Sequence, residues 1–148
     1  MFSTYWPYLL AVTVGAALTV QVGMNATIGR VLGSPLWASV ANFTVGLVAL
    51  VVAAFVVAPR LQPSSFGQVP AWAWVGGLLG AAYVASATLL GPRIGALALV
   101  AFVLAGQLGL ALLVDQFGWL GFPRVPIAPT RLLGALLLVV GALLVMRR

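Results

Sequence analysis

Residues 35–57 read PLWASVANFTVGLVALVVAAFVV, 23 positions without one charged side chain. Spanning the hydrocarbon core of a bilayer takes about 20 predominantly apolar residues in a helix. This run meets that requirement, and four others resemble it. The sequence predicts spans at about Trp6–Ile28, Pro35–Val57, Pro70–Leu90, Ile94–Val114 and Arg131–Val145, the last extending through Met146 with the final arginines reaching back to the interface. The expected fold is therefore an all-α integral membrane protein, a single five-helix transmembrane domain over residues 1–148 with helices at 6–28, 35–57, 70–90, 94–114 and 131–146.

The composition agrees. Of 148 residues, 64% are hydrophobic and 5% charged, against roughly 25% charged in a soluble domain. Seven arginines, no lysine and a single acid, Asp115, make up the charge. A net charge of +6 would point to nucleic acid in a soluble protein. Here the arginines stand singly or in pairs at Arg30, Arg60, Arg93, Arg124, Arg131 and Arg147–Arg148, between or after apolar runs, as membrane-flanking charges do. Nucleic acid is not expected as a partner; the lipid bilayer is. Cysteine and histidine are absent, which removes disulfides, thiolate nucleophiles, histidine proton relays and almost every metal site. One carboxylate leaves no acid pair for hydrolysis within a protomer. No enzyme, metal or cofactor is expected.

The connections carry turn chemistry. Ser34 is placed to cap the second helix with Pro35 at its first position, and Gly91-Pro92 predicts a tight third connection. The longer loops are 59–69 and 116–130, the latter with Pro123, Pro126 and Pro129. Trp6, Trp72, Trp74, Trp119, Tyr5 and Tyr8 fall near span ends, as an interfacial aromatic belt requires. The first apolar run lacks a basic leader and is too long for a cleaved signal, so it is read as a retained helix. Small residues recur at every fourth position, at Ala11, Gly15, Thr19, Gly23 and Thr27, and again at Gly76 and Gly80, which marks faces for close helix packing.

Polar groups at membrane depth are costly unless they face the bundle interior or a cavity. Gln21 and Asn25 share one face of the first helix, Asn42 lies on the second, Tyr83 and Ser86 share a face of the third, and Gln107 is near the middle of the fourth. At 1.5 Å per residue, Gln21, Asn42 and Tyr83 lie roughly 5–6 Å from their span centres and on one side of the midplane, with Gln107 slightly on the other. Substrate-binding candidates are accordingly Gln21, Asn25, Asn42, Tyr83 and Gln107. The competing reading is interhelical hydrogen bonding, worth about 0.6 kcal/mol each. For Ser39, Thr44, Ser86 and Thr88, a bond back to their own helix is the stronger reading. Asp115 and Arg93, at opposite ends of the fourth helix and about 33 Å apart along its axis, are candidates for a coupling or interfacial ion-pair role. Arg124 and Arg131 are the partners within reach of Asp115 on its own side of the membrane.

Five spans put the termini on opposite sides, with Arg60, Arg124 and Arg131 on one and Arg30, Arg93, Arg147 and Arg148 on the other. Such a split shows almost no positive-inside bias, as expected of a chain that inserts both ways round. Two inverted copies of a five-helix unit would form an inverted-topology repeat, the arrangement that transporters use around a midplane site.

Several short stretches carry a resemblance: Gln21-x3-Asn25, Gly33-Ser-Pro-Leu-Trp-Ala38, Asn42-Phe-Thr-Val-Gly46, Trp74-Val-Gly-Gly-Leu-Leu-Gly80-Ala-Ala-Tyr83, Pro92-Arg-Ile-Gly95, Gly106-Gln107, Asp115-Gln-Phe-Gly118, and Arg131-Leu-Leu-Gly134 with Gly141. In order and spacing the chain resembles, over essentially its whole length, the small five-helix family of the drug/metabolite transporter superfamily, long labelled as of unknown function. The resemblance implies a half-size relative of ten-helix transporters built as two inverted repeats, resident in the plasma (inner) membrane of a prokaryote. Where that family has an acid followed by His after the fourth helix, this chain has Asp115-Gln116, which weakens a coupling role there.

The expected function is transport of a small organic solute by alternating access, as an antiparallel, dual-topology homodimer. Amides without a buried carboxylate suit a neutral or zwitterionic solute, or an anion held by Arg. Small four-helix multidrug exporters rely on a membrane-embedded Glu, and this chain has none. The alternatives are a membrane scaffold or assembly subunit that transports nothing, and half of an obligate heterodimeric transporter.

Overall fold

The computed structural model describes the backbone of residues 2–58 and 62–146 and the side chains of residues 5–58 and 62–146. Arg60, Arg147 and Arg148, three of the charges in the topology argument, lie outside the described residues. Among the described residues, five helices are long and apolar enough to cross a membrane. They are α1 (Phe2–Leu32), α2 (Pro35–Val57), α3 (Val75–Ile94), α4 (Ala96–Phe117) and α5 (Pro129–Met146), joined by short 3-10 turns at Pro63–Gln68, Ala71–Trp74 and Trp119–Gly121. The fold is all-helical, as the uncharged runs require.

The chain divides into two compact units, Met1–Arg93 and Ile94–Arg148. In the first, α1 and α2 form an antiparallel hairpin across a two-residue connector. The Ser34 amide donates to the Gly29 carbonyl at 3.0 Å, closing the orphaned end of α1 with the bond of a Schellman cap. The Ser34 hydroxyl accepts from the Trp37 amide at 3.4 Å, with Pro35 in the first position of α2. Just beyond the turn the two backbones approach closely. Ala38 is 0% exposed, and its Cβ lies 3.6 Å from where a methyl on Gly29 would stand. The helix α3 meets α2 where the Phe43 ring comes within 4.0 Å of the Cβ position of Gly80. In the connection before α3, the Phe66 and Trp74 rings stack with centroids 6.0 Å apart.

The expected break at Gly91-Pro92 is corrected. Both residues belong to the last turn of α3, and the chain departs from helical geometry at Gly95, with φ 86°. A proline restricts its predecessor partly through that residue's Cβ, which Gly91 lacks. In the last turn its missing N–H removes a single helical bond. The conformation at Gly95 is one that side chains rarely adopt, and there the helix stops.

In the second unit α4 and α5 pack against each other, and the connecting loop folds back on the end of α4. Gly118 takes a left-handed φ of 65°, and the loop returns until the Val125 amide donates to the Asp115 carbonyl at 2.8 Å.

The buried apolar residues of the described chain are mostly small, with Ala26, Ala38, Ala87 and Ala142 beside Leu99 and Val114. The large ones point outward along the helices, among them Leu47, Leu50, Phe55, Leu78, Leu97 and Leu137. In water this would be unstable; in lipid it is the required arrangement, because the surrounding solvent is as apolar as leucine.

Candidate functional site

The amide cluster of the first unit is built on the α1–α2 hairpin. The Gln21 side-chain amide Nε2 donates to Asn42 Oδ1 at 3.2 Å, both residues being half-buried. One turn further along α1, Asn25 is 3% exposed. The close approach at Gly29 and Ala38 brings the helices near enough for side chains of amide length to meet. Counting from the helix ends, Asn42 lies about 10 Å inside α2 and Gln21 about 16 Å inside α1.

Each Gln or Asn side chain offers two N–H donors and an acceptor oxygen. The Gln21–Asn42 bond uses one donor and one acceptor, and Asn25 enters none of the side-chain hydrogen bonds of the described residues. The cluster therefore keeps both donors and acceptors to present, with no net charge. The neighbouring hydroxyls do not share in it. Ser39 donates to the Pro35 carbonyl at 2.9 Å, Thr44 to Val40 at 2.9 Å and Thr88 to Val84 at 2.8 Å, each bonding back to its own helix. Tyr83 is half-buried on α3, and Ser86 is exposed there. Gln107 belongs to the second unit, exposed on α4. Of the five substrate-binding candidates, a hydrogen bond joins Gln21 and Asn42.

The charged residues form a separate arrangement. Asp115 Oδ2 accepts from the Arg131 guanidinium at 2.6 Å, so of the two partners within reach Arg131 makes the ion pair. Arg124 turns instead to the backbone, its Nε donating to the Gln116 carbonyl at 3.0 Å. The Gln116 side chain accepts from the Ile127 amide at 2.8 Å. The bonds from Arg124 and from the Val125 amide satisfy the Gln116 and Asp115 carbonyls that the end of α4 would otherwise leave orphaned. Arg93 stands exposed in the last turn of α3. Gln116 had no positive role in the sequence pattern; its spacing of eleven residues from Ile127 across two prolines carries no local signal.

Asp115 and Arg131 also mark one end of a hollow of about 280 Å³ between α4 and α5. Its remaining lining is apolar and includes Leu108, Leu112 and Leu138.

Among the described residues, five helices apolar enough to span a bilayer, with uncharged amides inside them and ionic groups near their ends, define a polytopic membrane protein. The sequence matches, over residues 6–144, the drug/metabolite transporter family described as "putative inner membrane exporter, YdcZ", and the chain belongs to that family. It is an inner-membrane transporter. Comparisons with curated proteins and with solved structures give no match.

Proposed function

We propose that the chain moves a small neutral or zwitterionic organic solute by alternating access, its five helices working as one transmembrane unit in an antiparallel homodimer. Gln21, Asn25, Asn42, Tyr83 and Gln107 would line the central cavity. The observation that carries this reading is the Gln21–Asn42 hydrogen bond at 3.2 Å beside the buried Asn25. A mixed set of amide donors and acceptors matches a solute with both, whereas a bare cation would call for a carboxylate at depth. The chain's one acid, Asp115, is two residues from the end of α4 and already paired. Transporters with inverted repeats hold their substrate near the midplane at the repeat interface, and an odd number of spans lets two inverted copies of one chain supply such repeats.

The first experiment needs no knowledge of the solute. Ser64 is exposed in the α2–α3 connection, and the natural chain has no cysteine. A Ser64→Cys variant is labelled with a membrane-impermeant thiol reagent from each side of sealed vesicles. Comparable labelling from both sides is expected; labelling from one side alone overturns the antiparallel homodimer. The cavity is tested separately: Gln21→Ala and Asn42→Ala should each abolish solute binding, and unchanged binding would make the pair a packing contact.

A further inference from the structure

The hollow between α4 and α5 has a construction of its own. From α4 it is lined by Leu108, Ala111, Leu112 and Asp115, and from α5 by Arg131, Gly134, Ala135 and Leu138. Each set has the spacing i, i+3, i+4, i+7, a single face of a helix. Because the helices run in opposite directions, Asp115 and Arg131 close the same end, and the leucines at 108 and 138 lie about 10 Å further in. In the middle Leu112 stands with Ala111, Gly134 and Ala135, three residues too short to fill the space. The result is an open apolar groove with a charged mouth, two residues inside the ends of both helices and so at the membrane surface.

The mouth is cationic. Arg131 and Arg124 both border Asp115-Gln116, and Asp115 is the chain's single acid, so the three groups sum to one positive charge. Arg131 spends Nη2 on Asp115 and reaches the Val125 carbonyl with Nη1 at 3.4 Å. Arg124 spends Nε on the Gln116 carbonyl, and its two terminal nitrogens donate to nothing among the described residues. We propose that this groove binds an anionic phospholipid, one acyl chain lying between α4 and α5 and the phosphate held by Arg124 and Arg131. A guanidinium matches a phosphate in charge and in hydrogen-bond geometry, and basic pockets between membrane helices are natural headgroup sites. A soluble phosphate would leave the apolar walls unused. A second copy of this chain would bring arginines and an acid already paired, with no anion to offer Arg124.

The test uses the full-length protein purified in a neutral detergent, with retained lipid counted by native mass spectrometry. Phosphatidylglycerol should be held at least tenfold more tightly than phosphatidylcholine of the same chain length. Arg124→Gln should lower phosphatidylglycerol retention roughly tenfold, the effect of one charge-assisted hydrogen bond, while Arg30→Gln, at an exposed arginine on α1, leaves it unchanged. Ala135→Leu, which fills the groove, should reduce retention of both lipids. Equal retention of the two lipids by the unaltered chain overturns the proposal without any variant. So does displacement of phosphatidylglycerol by an equal concentration of glycerol phosphate, which would reduce the site to a simple anion contact. Unchanged lipid retention in Ala135→Leu with an altered oligomeric state would assign the groove to a second copy instead.

Discussion

The two helical hairpins solve the same problem with opposite chemistry. In α1–α2 the helices touch closely through Gly29 and Ala38 and are tied at depth by the neutral Gln21–Asn42 bond. In α4–α5 the helices also pack together, but they leave an open hollow of about 280 Å³ along their seam and are tied at the surface by the Asp115–Arg131 ion pair. The difference follows from what each depth tolerates. A charge at the bilayer centre costs several kcal/mol, so a polar link there must be uncharged. Near the headgroups the same charge is cheap, and the exposed Arg131 can reach both its partner and water. The uncharged link thus belongs to the first hairpin, and the ionic link to the second.

The sharpest way to break the comparison is to put the same bulk into both hairpins. Ala38→Leu forces a branched side chain into a contact where Ala38 is 0% exposed, and overpacking of that kind costs about 1–3 kcal/mol. Ala135→Leu places the same atoms beside the hollow and should change stability by less than about 0.5 kcal/mol. Detergent-solubilised protein unfolded by heat or by rising SDS, followed by circular dichroism, reads both. Equal losses would mean that the second hairpin is as tightly packed as the first.

A smaller effect is expected at the turn that folds the α4–α5 loop back. Gly118→Ala puts a side chain into a left-handed conformation, at about 1–2 kcal/mol, and its Cβ would stand 3.3 Å from that of Arg124. The same unfolding assay should show that loss. A change below about 0.5 kcal/mol would show that the loop tolerates another path and that Arg124 is not fixed beside the ion pair.

The apolar runs announced the spans because membrane depth leaves a polar backbone so few ways to be satisfied. The Ser34-Pro35 start of α2 was equally legible, since capping chemistry is local. The end of α3 was not: Gly91-Pro92 is the stronger turn signal in isolation, but a proline in a last helical turn costs little and Gly95 carries the actual break. At the candidate site, depth counting put Gln21 and Asn42 at one level, and a hydrogen bond joins them. The bond of a hydroxyl back to its own helix was legible too, because it is local: Ser39, Thr44 and Thr88 each donate to the carbonyl four residues earlier. The α4–α5 hollow was out of reach, because an empty space depends on how two small-residue faces meet, and the identity of Gly134 or Ala135 is the same whether a helix or a void lies opposite.

The smallest effect separates the two polar links by their physics. Double-mutant cycles on Gln21→Leu with Asn42→Leu, and on Asp115→Asn with Arg131→Gln, should each give a coupling of about 0.5–1 kcal/mol, the first near the average for bonds inside membrane proteins and the second near the value for exposed ion pairs. Their magnitudes alone do not distinguish them; their response to salt does. Raising ionic strength from about 0.15 to 1 M shortens the screening length from about 8 to 3 Å. Arg131 is 40% exposed and Asp115 25%, so counter-ions reach that pair and its coupling should fall by about half or more. The amide bond joins uncharged groups at a depth that ions do not enter, and its coupling should stay constant. An amide coupling that falls equally with salt would place Gln21 and Asn42 in contact with bulk electrolyte and dissolve the contrast between the two hairpins.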